Sequence, residues 1–205
     1  MSTGELSSPG SGRKFAGIGC AAFAVVGLVF LAVMFGVMYV TIGNRLIGLD
    51  ESMKTQWSQV ETVLQRRFDL IPNLVATVKG YAEHEQETLT RITELRSQWG
   101  AAKTIDEKAQ VAGELQGALA RLLLVAENYP DLKANQGFLD LQSQLEGTEN
   151  RIAVERQRYN ESVQAYNTAV RQFPGSLIAG FKGMAPSDAY FETSEGADEA
   201  PKVQF

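Results

Sequence analysis

The sequence predicts an all-α protein, with an N-terminal transmembrane helix followed by an antiparallel four-helix bundle. Near the N-terminus, residues 15–44 contain no charged side chain. Beyond them, apolar residues recur every three or four positions, the spacing that places side chains on one face of a helix. The sequence shows neither the alternation of a half-buried strand nor a glycine-rich nucleotide-binding loop.

The apolar segment is expected to be a retained membrane anchor. Residues 15–42 exceed the roughly 20 residues that a helix needs to cross a hydrocarbon core of about 30 Å. A cleaved signal peptide is the alternative, but the run is too long for one and no small-x-small cleavage site follows it near Val40. Basic residues flank the segment on both sides, so they do not indicate on which side the soluble part lies.

The net charge and the position of the cysteine argue against nucleic acid as a partner and against lipidation. The net charge of -5 argues against nucleic acid as a partner, because a nucleic-acid binder needs a basic surface to displace counterions from phosphates. The only cysteine, Cys20, lies in the apolar segment. We interpret it as a small residue of the span, since too few residues separate Lys14 from it for a lipoprotein signal.

The first soluble helix is expected to continue directly from the anchor and to end at a corner. Pro72 lacks a backbone donor and disfavours helical geometry at Ile71, so the corner is placed at Asp69 to Pro72. A second helix is then predicted up to a stop at Gly100. The apolar faces of the two helices are Leu46, Leu49, Met53, Trp57, Val60, Leu64 and Phe68, then Leu74, Val78, Tyr81, Thr88, Ile92, Leu95 and Trp99.

Two further helices are predicted. Thr104 and Glu107 form a capping-box pattern, which indicates the start of the third helix, and Pro130 follows its end. The fourth carries an apolar residue at every seventh position, and its tyrosines are expected in the core rather than in a ligand groove. Glu155 and other intermediate positions are too polar for an isolated coiled coil, so bundle packing is favoured. The seven-residue series is Phe138, Leu145, Ile152, Tyr159, Tyr166 and Phe173.

These elements divide the chain into four parts. Residues 1–14 form a leader whose composition predicts disorder, 15–43 the transmembrane helix, 44–184 the helical bundle, and 185–205 an acidic, extended tail. Residues 177–184 form a short apolar segment that either packs over the end of the bundle or contacts a membrane interface.

No residue pattern predicts catalysis, a cofactor or a metal. His84, the only histidine, lies between Glu83 and Glu85. Neighbouring side chains of a helix point about 100° apart, so these three do not share a metal ion, and we expect His84 on a solvated helix face. A hydrolase built on His84 is the remaining enzymatic alternative, without a local orienting partner. We expect that the protein is not an enzyme.

The corner carries the candidate interaction residues. Arg66, Arg67 and Asp69 precede Pro72, and Asn73 follows it. Local bracing is the favoured interpretation, with Asp69 capping the second helix and Arg67 pairing with a nearby acid. Docking of a protein partner is the alternative.

Three segments resemble the signatures of the LemA family. They are RRFDLIPNLVATVKGYAEHE at 66–85, ENRIAVERQRYNESVQAYNTAVRQFPGSLIAGF at 149–181 and YFE at 190–192. The resemblance implies an N-terminal membrane helix and an antiparallel four-helix bundle. It implies no reaction, although some relatives in magnetotactic bacteria are implicated in forming magnetosome membranes.

We therefore expect a single-pass protein of the bacterial cell membrane that acts as an interaction or scaffold protein. Its partners would be membrane lipid through the transmembrane helix, an unidentified protein, and further copies of itself. The alternative is a membrane-organising or remodelling protein that acts by self-association and lipid contact. A hydrolase is the least favoured function.

Overall fold

The computed structural model describes residues 12–82 and 84–191, apart from the side chains of 12–22 and 24. This part of the chain consists of helices and contains no strand, so the predicted all-α class is confirmed there. Most of the predicted leader, the Cys20 side chain and residues 192–205 of the tail lie outside the described residues. The helices are α1 (Gly12–Asp69), α2 (Ile71–Lys79), α3 (Gln86–Ala101), α4 (Ile105–Ala126), α5 (Pro130–Lys133), α6 (Gln136–Arg171) and α7 (Gly175–Lys182).

Helix α1 joins the apolar segment to the soluble part without interruption. It contains 58 residues, which corresponds to about 87 Å at 1.5 Å per residue. Its apolar part is long enough to cross a membrane, and the most apolar stretch is not buried against the rest of the protein. From Leu46 onward one face of the helix is buried. The predicted continuity is confirmed.

The predicted corner is a one-residue interruption of helical hydrogen bonding. Leu70 separates α1 from α2 and keeps right-handed helical angles (φ −77°, ψ −20°). Pro72 lies in the first turn of α2. A backbone N–H has no intrahelical partner there, so the missing N–H of proline costs no hydrogen bond.

The prediction of one continuous second helix is wrong, because α2 and α3 are separate helices. The N–H groups of Tyr81 and Ala82 both donate to the Val78 carbonyl, at 3.0 and 2.9 Å, so the helix tightens and ends there. Gly80 at this point disfavours continued helix by about 1 kcal/mol relative to alanine. His84 is exposed on this connection rather than on a helix face, and α3 continues through Gly100.

Helix α4 begins with the predicted capping box. The Glu107 N–H donates to Thr104 Oγ1 (3.2 Å), and the Thr104 N–H donates to Glu107 Oε2 (3.1 Å). A second N–H, from Lys103, reaches the same carboxylate oxygen at 2.8 Å. These backbone hydrogen bonds lower the pKa of Glu107.

Helix α6 buries five of the six residues of the seven-residue series. The prediction for Phe173 is wrong, since this side chain lies beyond α6 and is 81% exposed. Pro174 disfavours helical geometry at Phe173, the residue before it. The Phe173 side chain therefore does not lie on the same helix face as the rest of the series. Glu155 lies half-buried at the edge and pairs with Arg158 at 2.8 Å.

Within the described residues, the helices enclose two hydrophobic cores, and α6 runs antiparallel to α1. Helices α3 and α4 pack against each other, and α2 packs against α3 and α6. We call the large cluster that includes Val60, Phe68, Ile92 and Ile152 the main core. The anchor-side core is a smaller cluster beside the apolar half of α1, formed by Leu46, Tyr166, Val170, Ile178 and Ala179.

Candidate functional site

The structure separates one residue of the predicted corner cluster from the others. Arg67 points into the protein and is buried, whereas Arg66, Asp69, Pro72 and Asn73 are exposed. Asp69 accepts a hydrogen bond from Gln65 within α1 (2.8 Å), and no side chain caps α2. The prediction that Asp69 caps the second helix is therefore wrong. Because Leu70 remains helical, Asp69 still belongs to the last turn of α1.

Arg67 instead joins three helices. It forms an ion pair with Glu149 of α6, the first residue of the second signature. Gln116 of α4 donates to the other oxygen of this carboxylate at 3.1 Å. Arg156 lies nearby, and burial lowers its pKa while the charge of Glu149 acts in the opposite direction. The predicted pairing of Arg67 with an acid is confirmed, with a partner 82 positions away.

A strap, defined here as residues 185–191, runs back along α6 after α7. Asn167 donates from Nδ2 to the carbonyl of Ser187 (2.7 Å) and accepts from the N–H of the same residue (2.8 Å). Asn160 makes the same pair of bonds with Phe191, at 2.8 and 2.9 Å. Each side-chain amide thus binds both main-chain groups of one residue, as a neighbouring strand would. The main chain of the strap is held at two points.

The strap ends in an aromatic pocket between α1 and α6. The Phe191 ring stacks on Trp57 with 5.7 Å between ring centroids and meets Tyr159 edge-on at 5.6 Å. The guanidinium of Arg156 lies 4.9 Å from the centre of the same ring, within cation-π range. Burial also raises the pKa of Tyr159. The second signature and the closing element therefore meet in one packed unit.

The sequence interpretation missed the residues that hold the strap. Arg156, Asn160 and Asn167 lie within the second signature, and Phe191 lies in the closing element. The available signal was that the two asparagines are seven positions apart and directly follow Tyr159 and Tyr166. That spacing places both amides along one side of the buried series.

The described residues do not assemble a group typical of a metal site. Among them, no three His, Cys, Asp or Glu side chains lie close enough together to hold a metal ion. Two surface grooves lie between α2 and α3 and between α3 and α4, and His84 lines neither. Glu85 accepts a hydrogen bond from the hydroxyl of Tyr129 (3.2 Å) rather than from His84.

Comparison with known proteins identifies the family. The LemA family model matches residues 56–205. Magnetosome protein MamQ of Magnetospirillum gryphiswaldense is 25% identical over 179 residues, which cover 75% of this chain and 66% of MamQ. Protein LemA of Metamycoplasma hominis is 25% identical over 160 residues, which cover 74% of this chain and 71% of that protein. The matched region begins within α1 and includes the corner, α6 and the strap, and the chain belongs to the LemA family.

Proposed function

We propose that this protein is a single-pass bacterial membrane protein whose four-helix bundle acts as a scaffold for a protein partner, without enzymatic activity. The four long elements of the bundle would be α1 with its continuation α2, then α3, α4 and α6. The observation that carries the proposal is that the soluble part packs directly on the end of the apolar segment. Phe181 and Lys182 of α7 contact the rings of Phe35 and Tyr39 in α1.

This packing leaves no free linker between anchor and bundle. An α-helix rises 1.5 Å per residue, so Asp69 at the end of α1 lies about 40 Å from Gly43 along the helix axis. A partner that binds near the far end of the bundle would be held at a defined distance from the membrane. The scaffold would act by positioning its partner. The MamQ relative, a magnetosome protein by name, supports a role at a membrane.

Site-specific photocrosslinking in the native membrane tests the scaffold proposal. The crosslinking residue is placed at Leu124, which is 69% exposed at the end of α4 away from the anchor. We expect adducts with one or a few discrete proteins. The control is the same residue at Phe30 in the apolar segment, which is expected to give lipid adducts. If Leu124, Leu139 and Val154, all exposed, give no protein adduct, the scaffold proposal is wrong.

Membrane organisation through self-association and lipid contact is the second candidate function. The exposed apolar side chains of α7, beside the apolar half of α1, favour it. Full-length protein reconstituted into giant liposomes should then change their shape above a threshold protein density. Liposomes that stay spherical at every density would contradict this function and leave the scaffold as the proposal.

A further inference from the structure

Helix α7 lies beside the end of the apolar segment of α1. It buries Ile178 and Ala179 in the anchor-side core, and Gly183, with a left-handed φ of 67°, ends it. A residue with a side chain is strained at this φ, so glycine suits the turn into the strap. The position of α7 is thereby fixed relative to α1.

Two adjacent side chains of α7 reach in opposite directions along α1. The Phe181 ring meets Phe35 edge-on, with 6.4 Å between ring centroids. The Lys182 side chain runs toward the bundle, with its end against Gly43 and its Nζ atom 5.2 Å from the centre of the Tyr39 ring. The eight positions from Phe35 to Gly43 correspond to about 12 Å along the helix. The apolar ring thus points toward the anchor and the ammonium away from it.

The face of α7 that does not pack on the bundle is uncovered and carries two large apolar side chains. Phe181 is 65% exposed and Leu177 44% exposed, and Phe173 lies exposed just before the helix. Contiguous exposed apolar surface of this kind marks a contact site. The described part of the chain offers no segment that covers it.

Chain length places this face at the boundary of a bilayer. A span that starts at Phe15, directly after Arg13 and Lys14, crosses the hydrocarbon core with roughly 20 residues and ends near Met34, so the last residues of the predicted transmembrane helix 15–43 lie beyond the core. Phe35 then lies at the boundary between acyl chains and headgroups, and Tyr39 lies among the headgroups, where tyrosine is enriched. Phe181 packs against Phe35 and therefore lies near this boundary. The Lys182 ammonium lies against Tyr39 and Gly43, farther along α1 than Phe35, and is therefore on the water side of this boundary.

We propose that α7 is a second membrane contact of this protein, with Leu177 and Phe181 inserted at the headgroup–acyl boundary of the bilayer that α1 crosses. The inference rests on the proposed function, because it requires α1 to span the membrane. It adds that the bundle itself touches lipid. An anchor and a lipid-bound helix side by side would fix the tilt of the bundle as well as its height.

Depth measurements on the full-length protein test the contact. A nitroxide is attached to Cys at position 181 (Phe181→Cys) in a Cys20→Ser background, and the protein is reconstituted into nanodiscs of phosphatidylcholine and phosphatidylglycerol. Collision rates with oxygen, which concentrates in lipid, and with a water-soluble nickel chelate report the depth of the label. The matched references are labels at Val29→Cys in the apolar segment and Leu124→Cys on the bundle, both exposed in the structure.

We expect the label at position 181 to lie between the two references, with nickel access well below that at position 124. If position 181 is as open to nickel as position 124 while position 29 remains in lipid, α7 does not touch the membrane, although α1 still spans it. If position 29 is also open to nickel, the proposed membrane anchoring fails. Low access to both reagents, with broadening from a neighbouring label, would show that a second copy covers α7 and would also overturn the proposal.

A pair of serine substitutions gives an independent test. Leu177→Ser with Phe181→Ser removes exposed apolar groups, so the helical content should stay unchanged. Amide hydrogen exchange of α7 in nanodiscs should rise about tenfold, since the lipid contact of both side chains and the contact of Phe181 with Phe35 are lost. Exchange in α4 should not change, and Leu124→Ser serves as the control that leaves α7 unaffected. Unchanged exchange of α7 in the double variant would contradict the lipid contact.

Discussion

The two hydrophobic cores differ in the number of buried residues, in the ion pairs between their helices and in the surface beside them. The main core draws residues from α1 to α6 and is crossed by ion pairs between helices, from Arg67 to Glu149 and from Lys108 to Glu61. The anchor-side core contains five buried residues from α1, α6 and α7, next to an exposed apolar face. Stability of the fold therefore rests on the main core, whereas the anchor-side core serves to place α7 on α1.

An isoleucine-to-alanine substitution made in each core should give the greatest difference in the free energy of unfolding. Ile152 and Ile178 are both fully buried, in the main and the anchor-side core respectively. Ile152→Ala should lower the free energy of unfolding by about 3–4 kcal/mol, because the surrounding helices cannot close the cavity. Ile178→Ala should cost about 2 kcal/mol or less, since α7 can detach without unfolding the rest.

Urea unfolding of the full-length protein in detergent micelles, followed by circular dichroism, measures both free energies, and hydrogen exchange reports α7. Equal losses of global stability in the two variants would show that the cores form one cooperative unit. Stability would then not rest mainly on the main core.

The next prediction concerns the ion pair between Arg67 and Glu149 in the main core. Arg67→Ala removes a buried cation and leaves Glu149 without its ion-pair partner. Because Glu149 keeps partial access to water, we expect a loss of about 2–3 kcal/mol rather than the larger cost of a fully buried pair. Arg66→Ala, at the exposed neighbouring position, should change stability by less than about 0.5 kcal/mol. Similar results for the two variants in thermal unfolding would contradict the assigned bracing role.

The strap should contribute a smaller amount. Asn160→Ala removes both hydrogen bonds to Phe191, which should cost about 1–2 kcal/mol. In a Trp99→Phe background, which leaves Trp57 as the reporter, tryptophan emission should shift as Phe191 leaves the ring. Asn150→Ala, an exposed asparagine of the same helix, is the control. An unchanged spectrum in Asn160→Ala would mean that the aromatic pocket holds the strap without the amide.

The smallest effect tests local capping of α4. Hydrogen bonds from the backbone N–H groups of Lys103 and Thr104 lower the pKa of Glu107 in the folded state. A depressed carboxyl pKa stabilises the fold above the unfolded pKa, and this stabilisation is lost as the pH falls through the folded pKa. The difference in Tm between the wild type and Glu107→Gln should therefore be present at pH 7 and shrink below about pH 4.

Thr104→Ala provides the companion variant, with an expected loss of about 1 kcal/mol at neutral pH. Because its hydroxyl does not titrate, this loss should remain at acidic pH. A Glu107→Gln difference that is equally large at pH 3 and pH 7 would exclude the charge of Glu107 as the cause.

Helix boundaries set by local chemistry could be predicted from the sequence. Pro72 and the Thr104–Glu107 pair act on the backbone within a few residues, and a helix boundary before Pro72 and the capping box are found where they were placed. The continuation of α1 from the apolar segment followed from unbroken helical spacing. The prediction failed where a weak local signal competed with periodicity, at Gly80 and at Phe173.

The helical class, the apolar segment and the family follow from the sequence alone, because periodicity, capping and signature residues can be recognised along the chain. The contacts between distant residues became visible in the folded structure. The pairing of Arg67 with Glu149, the capture of the strap by Asn160 and Asn167, and the contact of Phe181 with Phe35 all join distant positions. Such contacts depend on the antiparallel packing of α6 and α7 on α1, and a periodic pattern specifies which face of a helix is buried but not which partner covers it.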